Sequence, residues 1–390
     1  VLEHEEDLAK IITWENGKIH TDAAGEVLFA AGHLEWYSEE AARLYGEVIP
    51  HSSPNTTVQV VKEPIGVCGL ITPWNFPAGM VTRKVAPALA AGCTVIIKTD
   101  GLTPFTANAL AVLAQRAGVP KGVINILTAL ENTPSLGLAL CKSDVVRKLS
   151  FTGSTRVGQL LAEQAGSSLK KLSLELGGNA PFIVYDDADL DIAVACCMAS
   201  KFKSSGQTCV CTNRIFVQNR IFDAFTQRLA HEIKKLWVGV ANDPGSDIGP
   251  LISTRAVAKV DQHIQDAVEK GARLVVGGQR LPLGKMKAPL PLYKALCVLT
   301  REGDHFIQPT LLIGLNETMK IAHEETFGPL AGVFRFTTEE EVIERANDSA
   351  VGLAAYIMTN DLGRAQRTAE RLHTGMVAIN TGAVSDPAVP

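Results

Sequence analysis

The stretch CTVIIKTDGLTPFTANALAVLAQRAGVPKGVINIL, residues 93–127, decides the fold. Two short apolar runs, CTVIIK (93–98) and GVINIL (122–127), flank a helical segment over 104–117. A strand, a helix and a second strand in that rhythm form a βαβ unit, which implies a parallel sheet with helices packed on it. The same rhythm extends to both sides, with GVCGLI (66–71) before it and VRKLSF (146–151) and a helical stretch over 156–166 after it. The first half of the chain therefore reads as a doubly wound α/β domain.

Working outward, amphipathic patterns cover about 3–15 and 21–46, and the proline-broken IPHSSPNTTVQVVKEP (49–64) reads as an extended hairpin. NAPFIV (179–184) opens a second set of units. It continues with helices near 188–203, 220–236 and 253–270, the strand RIFV, and further units at LLIGL, AGVFRF, EEEVIERAND and VGLAAYIM. A second α/β domain thus begins near residue 178. No fixed-period repeat or low-complexity segment is present. The stretch LPLGKMKAPLPLYKALCVLTREGD, 281–304, breaks the pattern with three prolines and no clean period, and reads as a surface insertion or an unnatural piece of chain.

The composition bounds the function. With 46% hydrophobic and 20% charged residues, 390 residues can build two to three cores. The 37 basic and 41 acidic residues form no long single-sign block, so neither a nucleic-acid footprint nor a membrane-surface patch is expected, and small-molecule chemistry is. The eight cysteines are scattered through apolar stretches, which fits a reducing compartment rather than a secreted disulfide framework. No apolar run approaches the ~18 residues of a membrane span. The chain opens at Val1 inside an apparent helix, so preceding residues are expected. The expected setting is cytoplasmic, or mitochondrial if a leader precedes Val1.

Chemistry concentrates in four stretches. In SSGQTCVCTNR (204–214), Cys209 and Cys211 lie one residue apart, a gap unsuited to zinc, which leaves a nucleophile, a redox pair or chance. In SLELGGN, Glu175 closes an otherwise apolar strand before Gly177 and Gly178; a carboxylate there is either paired or raised in pKa for general-base work. In TPWNFP, Asn75 follows a strand and offers an amide to a developing oxyanion, or simply makes a turn before Pro77. In FTGSTRVG, Gly153 and Ser154 begin a helix and could present donors to a pyrophosphate, although many helix caps look alike.

In the order PWNFP, FTGS, LELGG, GQTC, these stretches resemble the aldehyde dehydrogenase superfamily over essentially the whole chain. TPWNFP…TRKVAPALAAGC, KLSLELGGNAPFIV, ASKFKSSGQTCVCTNR, HEETFGPLA and AINTG are similar, within it, to the succinate-semialdehyde dehydrogenases. The resemblance implies Cys209 as nucleophile, Asn75 as oxyanion donor and Glu175 as the base that activates water for thioester hydrolysis. It implies NADP or NAD as cofactor, bound by Thr72, Trp74, Lys98, Gly101, Gly153, Ser154, Leu176, Glu325 and Phe327. No metal is implied. Cys211 resembles the companion thiol of the subfamily and would form a redox pair with Cys209. Arg83, Lys203 and Ser385 would hold the distal carboxylate of an aldehyde substrate, with lysine at 203 where the subfamily has arginine.

The same resemblance gives the expected organisation. It is an aldehyde dehydrogenase-like α/β chain of two doubly wound domains and a small hairpin. Residues 1–46 and 66–177 bind the cofactor, 47–65 form an oligomerisation hairpin, 178–380 carry the catalytic cysteine, and 381–390 form a terminal segment. A homo-oligomer, dimer or tetramer, follows. The expected reaction is oxidation of succinate semialdehyde in 4-aminobutyrate breakdown. The alternatives are another short ω-carboxy aldehyde such as glutarate semialdehyde, or cofactor binding without turnover. The motif after Lys98 departs from the family: Thr99-Asp100-Gly101 lacks the glutamate that would bind the adenine ribose. A glycine there leaves room for a 2′-phosphate, which favours NADP.

Overall fold

In the computed structural model, which describes residues 1–281 and 305–389, the strand and helix rhythm gathers into two units. One comprises Val1–Asn16, Ala23–Leu176 and the residues from Asp386 on; the other comprises Gly17–Asp22 and Gly177–Ser385. Apart from Leu281, the expected insertion over 281–304 lies outside the described residues.

In the first unit, strand β1 (Glu47–Pro50) pairs antiparallel with β2 (Thr57–Val60), with Glu47 opposite Val60. This ribbon is exposed on nearly every residue. The main sheet contains β3 (Val67–Ile71), β4 (Thr94–Asp100), β5 (Ile124–Ala129), β6 (Val146–Thr152) and β7 (Lys171–Glu175), all parallel, in the order β5-β4-β3-β6-β7. The winding reverses between β3 and β6, the switch point outside whose strand ends such sheets bind ligands.

Period-two alternation builds a core on each face. Cys68, Leu70, Val95 and Ile97 face one layer with Leu8, Ile12, Val27, Val81 and Val85. Ile71, Leu149 and Phe151 face the other with Leu140 and Leu161. The helical pattern over 21–46 stops earlier than its sequence indicates: the helix His20–Glu40 tightens into a 3-10 turn at Ala41–Arg43.

The second unit contains β8 (Ala180–Val184), β9 (Thr212–Gln218), β10 (Arg273–Val276), β11 (Thr310–Ile313), β12 (Leu330–Phe336), β13 (Ala354–Met358) and β14 (Met376–Ile379). Their order is β10-β11-β12-β9-β8-β13-β14, parallel except for β10 against β11. Phe182 and Val184 pack into one core and Ile183 and Tyr185 into the other, as alternation requires. Side-chain caps start the helices where the sequence offers them: Asp189 accepts from Asp191 and Ile192 N–H, and Ser253 from Ala256 N–H. Among the described residues, no helix is long and apolar enough to cross a membrane.

Candidate functional site

In the second unit the helix Leu190–Phe202 runs into Ser204, Ser205 and Gly206, all in left-handed backbone with φ of 51°, 57° and 72°. That conformation costs an ordinary residue about 1–2 kcal/mol, so the two serines require outside support. Asp22 Oδ2 accepts from Ser204 N–H at 2.7 Å, and Ser205 Oγ donates to Gly249 O at 3.0 Å. Gln207 Oε1 accepts from Ile252 N–H at 2.9 Å. Asp22, in the segment Gly17–Asp22, thus belongs to the same unit as the loop it holds. Cys209 follows, half-buried, and the Tyr356 hydroxyl holds its neighbour by donating to Val210 O at 2.8 Å.

Gly178 joins two of the sequence-predicted positions. A Cβ on it would lie 2.3 Å from the Cys209 carbonyl oxygen, so only glycine admits the cysteine loop here. Its N–H donates to Glu325 Oε1 at 3.2 Å. Burial pushes the Glu325 carboxyl up to about 7, against that hydrogen bond and the charges of Lys259 and Lys201. Phe327 lies in the same segment at φ 58°.

Cys211 differs from Cys209. Its buried Sγ donates to Lys201 O at 3.3 Å, and burial raises its thiol pKa. Lys203 and Ser385, also in this unit, are exposed.

In the first unit, the TPWNFP turn joins β3 to the helix Gly79–Ala90, and Asn75 is buried in it. Asn16 Nδ2 donates to Trp74 O at 2.9 Å, while Glu26 Oε1 accepts from Ala78 N–H at 2.7 Å and Gly79 N–H at 3.2 Å. Thr72 N–H donates to Lys98 O at 3.1 Å, tying the ends of β3 and β4 together. At the end of β6, Gly153 N–H donates to Glu175 O at 3.0 Å, and Ser154 precedes the helix Thr155–Gly166 in extended backbone. Ser154 makes no side-chain cap bond, and the helix starts just past the end of β6, an arrangement that fits a pyrophosphate. Gly158 serves packing: a Cβ there would meet Leu176 Cδ2 at 2.4 Å. Arg83 lies on the same helix as Thr82, its guanidinium 5.9 Å from the Phe29 ring centre.

Two expectations change. Glu175 is exposed rather than sunk in an apolar strand end, because β7 is an edge strand with every second residue facing outward. Gly101 leaves no open room: a Cβ on it would lie 2.6 Å from Leu130 Cβ and 2.8 Å from Ala129 O. The residue is small because the end of β5 occupies that space.

The sequence reading passed over Lys84, Lys201 and Tyr356. Lys84 is buried and donates to Ser150 Oγ at 2.9 Å; burial pulls its ammonium down to about 8, with Glu175 acting in the opposite sense. Lys201 is 1% exposed and acts electrostatically on both Cys211 and Glu325. A lysine on an otherwise apolar helix face was the available signal in both cases. Among the described residues no cluster of His, Cys, Asp or Glu could hold a metal ion.

The model of the Aldehyde dehydrogenase family matches residues 1–390. The NADP(+) succinate-semialdehyde dehydrogenase GabD of Escherichia coli is 50% identical over 100% of this chain and 77% of its own length. The glutarate-semialdehyde dehydrogenase of Pseudomonas putida is 48% identical over 100% of this chain and 76% of its own. The crystal structure of succinate-semialdehyde dehydrogenase from Burkholderia pseudomallei matches at a TM-score of 0.93 and 50% identity, over 100% of this chain and 76% of that one.

Two outcomes follow from the local physics. Glu325 has a folded pKa above its ordinary 4.5, so its contribution to stability is complete below about 4.5 and lost as pH rises through about 7. Glu325→Gln should therefore be more stable than the parent at pH 8, by up to about 3 kcal/mol, and melt higher there, with the gain vanishing near pH 4.5 in paired thermal melts. Gly101→Glu should shift the Ala129–Leu130 backbone and weaken NADP+ and NAD+ together. Selective loss of NADP+ in fluorescence titrations would instead favour a direct 2′-phosphate contact.

Proposed function

The chain belongs to the aldehyde dehydrogenase family, and on that premise we propose that it oxidises succinate semialdehyde to succinate with NADP+. The observation that carries this reading is whole-length similarity at half identity to an NADP(+) succinate-semialdehyde dehydrogenase, with the cysteine, glutamate and asparagine of the family pattern all present.

In the proposed reaction the Cys209 thiolate bonds to the aldehyde carbon, and the Asn75 amide with the Cys209 N–H stabilises the resulting oxyanion. NADP+ would be held by Lys98, Gly153, Ser154 and Glu325 and would supply the hydride acceptor that leaves the acyl group as a thioester on Cys209. Glu175 takes a proton from water, the water oxygen bonds to the acyl carbon, and the C–S bond breaks to release succinate and the thiol. The exposure of Glu175 supports this role, since a base for water must reach water.

Arg83 and Lys203, with Ser385, are the proposed partners of the distal carboxylate; a lysine gives charge without the planar fork of an arginine. The exposed ribbon β1–β2, with Val48 70% and Val60 42% exposed, supports assembly into a homo-oligomer, because an isolated two-stranded hairpin is marginal in water. The proposed setting is cytoplasmic, in the breakdown of 4-aminobutyrate. A Cys209–Cys211 bridge would require Cys211 to leave its contact with Lys201 O.

The Pseudomonas putida relative favours one second reading, a five-carbon semialdehyde. Initial rates with four- and five-carbon ω-carboxy aldehydes, each with NADP+ and NAD+, decide between them. Higher kcat/KM for the four-carbon substrate with NADP+ is expected, and preference for the five-carbon substrate would overturn it. Cys209→Ala should abolish reduced-nicotinamide formation, whereas Glu175→Gln should retain a single-turnover burst with slow turnover after it. Full steady-state activity in Cys209→Ala would reject the mechanism.

A further inference from the structure

Three buried polar side chains of the second unit, Asn179, Asn213 and His263, take no part in the chemistry above. They are 3%, 3% and 0% exposed. Sinking such groups costs free energy unless each finds partners, so where their bonds go is informative. Nearly all of them go to one segment, residues 321–326, which leads directly into Phe327.

Asn213 has a structural cause for its reach. The pairing of β8 with β9 slips between Ala180 and Pro181, which face Thr212 and Arg214, so Asn213 is the extra residue of a bulge. A bulge re-aims a side chain out of the ladder. Asn213 Nδ2 donates to Glu324 O at 3.0 Å, with Ile321 O at 3.3 Å and Asn179 Oδ1 at 2.6 Å also in reach, and its Oδ1 accepts from Thr326 N–H at 3.2 Å. Asn179 Nδ2 donates to Ala322 O at 3.0 Å.

From the helix Thr254–Glu269, His263 Nδ1 lies 3.0 Å from Thr326 Oγ and Nε2 lies 3.3 Å from Glu324 Oε2. Burial lowers the His263 pKa, Lys259 and Lys320 act in the same direction, and Glu324 opposes them. A neutral ring protonated at Nε2 donates to the Glu324 carboxylate and accepts the Thr326 hydroxyl at Nδ1. One turn back on the same helix face, Val260 seats Gly328, where a Cβ would lie 2.4 Å from Val260 Cγ2. The segment is thus gripped on both sides of Phe327, whose left-handed backbone needs such over-determination to persist.

We propose that Asn213, Asn179 and His263 are positioning residues that fix the 321–328 segment so that Glu325 and Phe327 meet the nicotinamide half of the cofactor. This rests on the cofactor roles given to Glu325 and Phe327 above. The clasp acts on cofactor binding, while the cysteine loop has its own supports outside 321–328 in Asp22, Gly249 O and Tyr356.

The test compares His263→Leu, which keeps bulk without hydrogen bonds, with His263→Gln, which restores a donor and an acceptor, and with Asn213→Asp, which keeps volume but offers no N–H to the 321 and 324 carbonyls. The readouts are KM for NADP+, KM for succinate semialdehyde, the rate of Cys209 alkylation by iodoacetamide without cofactor, and Tm. His263→Leu and Asn213→Asp should raise KM for NADP+ about tenfold, within the ~100-fold that a 1 Å misplacement can cost. KM for the aldehyde and the alkylation rate should stay at parent values, and His263→Gln should recover most of the loss.

An unchanged KM for NADP+ in both folded variants overturns the proposal. So does a fall in Tm with both KM values and the alkylation rate moving together, the mark of a purely structural role. Glu325→Gln and Phe327→Leu serve as the separate control. If those bind NADP+ like the parent, the cofactor reading fails; if they weaken it while His263→Leu and Asn213→Asp do not, the clasp alone fails.

Discussion

The second unit depends on a backbone approach that only glycine permits. At Gly178 the Cys209 carbonyl comes where a Cβ would stand, and the N–H of the same residue holds the Glu325 carboxylate. At Gly206 the approach repeats: a Cβ would lie 2.3 Å from Gly328 O, so the cysteine loop and the 324–328 segment touch through main chain alone. A methyl at either position forces two loops apart, and backbone cannot yield as a flexible side chain can. Main-chain contact leaves little slack, which suits a nucleophile whose position must be reproducible to within fractions of an ångström.

The first unit manages its helix N-termini in two ways. Glu26 closes the N-terminus of Gly79–Ala90, and Glu15 accepts from the Phe105 and Thr106 amides at the start of Phe105–Arg116. A carboxylate there satisfies orphan amides and complements the positive end of the helix. Thr155–Gly166 is treated otherwise, with Gly153 and an extended Ser154 in front of it and no side-chain cap. Thr133–Lys142 likewise lacks a side-chain cap, so the two acids mark the helix starts that the scaffold closes from within.

Strain is distributed by the same logic. Ser204, Ser205 and Phe327 adopt left-handed backbone without being glycine, and each is flanked by buried hydrogen bonds to other elements. Local conformation alone would release that strain. The surrounding sheet and helices prevent it, and the strained residues lie next to Cys209 and Glu325.

The sequence by itself determined the alternation of strands and helices, the two α/β units, and the four stretches that carry chemistry. These are short-range signals: a β-branched run, a helical period, and a Cys, Glu or Asn beside glycine or proline are read within a dozen residues. Tertiary structure alone decided the rest. Gly101 is small because the end of β5 lies against it, which no local pattern reveals. Glu175 faces outward because β7 became an edge strand, a consequence of strand order and not of β7 itself. Asn213 turns toward 321–326 because β8 and β9 slip by one residue, and Asp22 reaches Ser204 across 182 positions of sequence. Residue type and period act along the chain, whereas close approach, register and burial depend on partners that only the folded chain brings together.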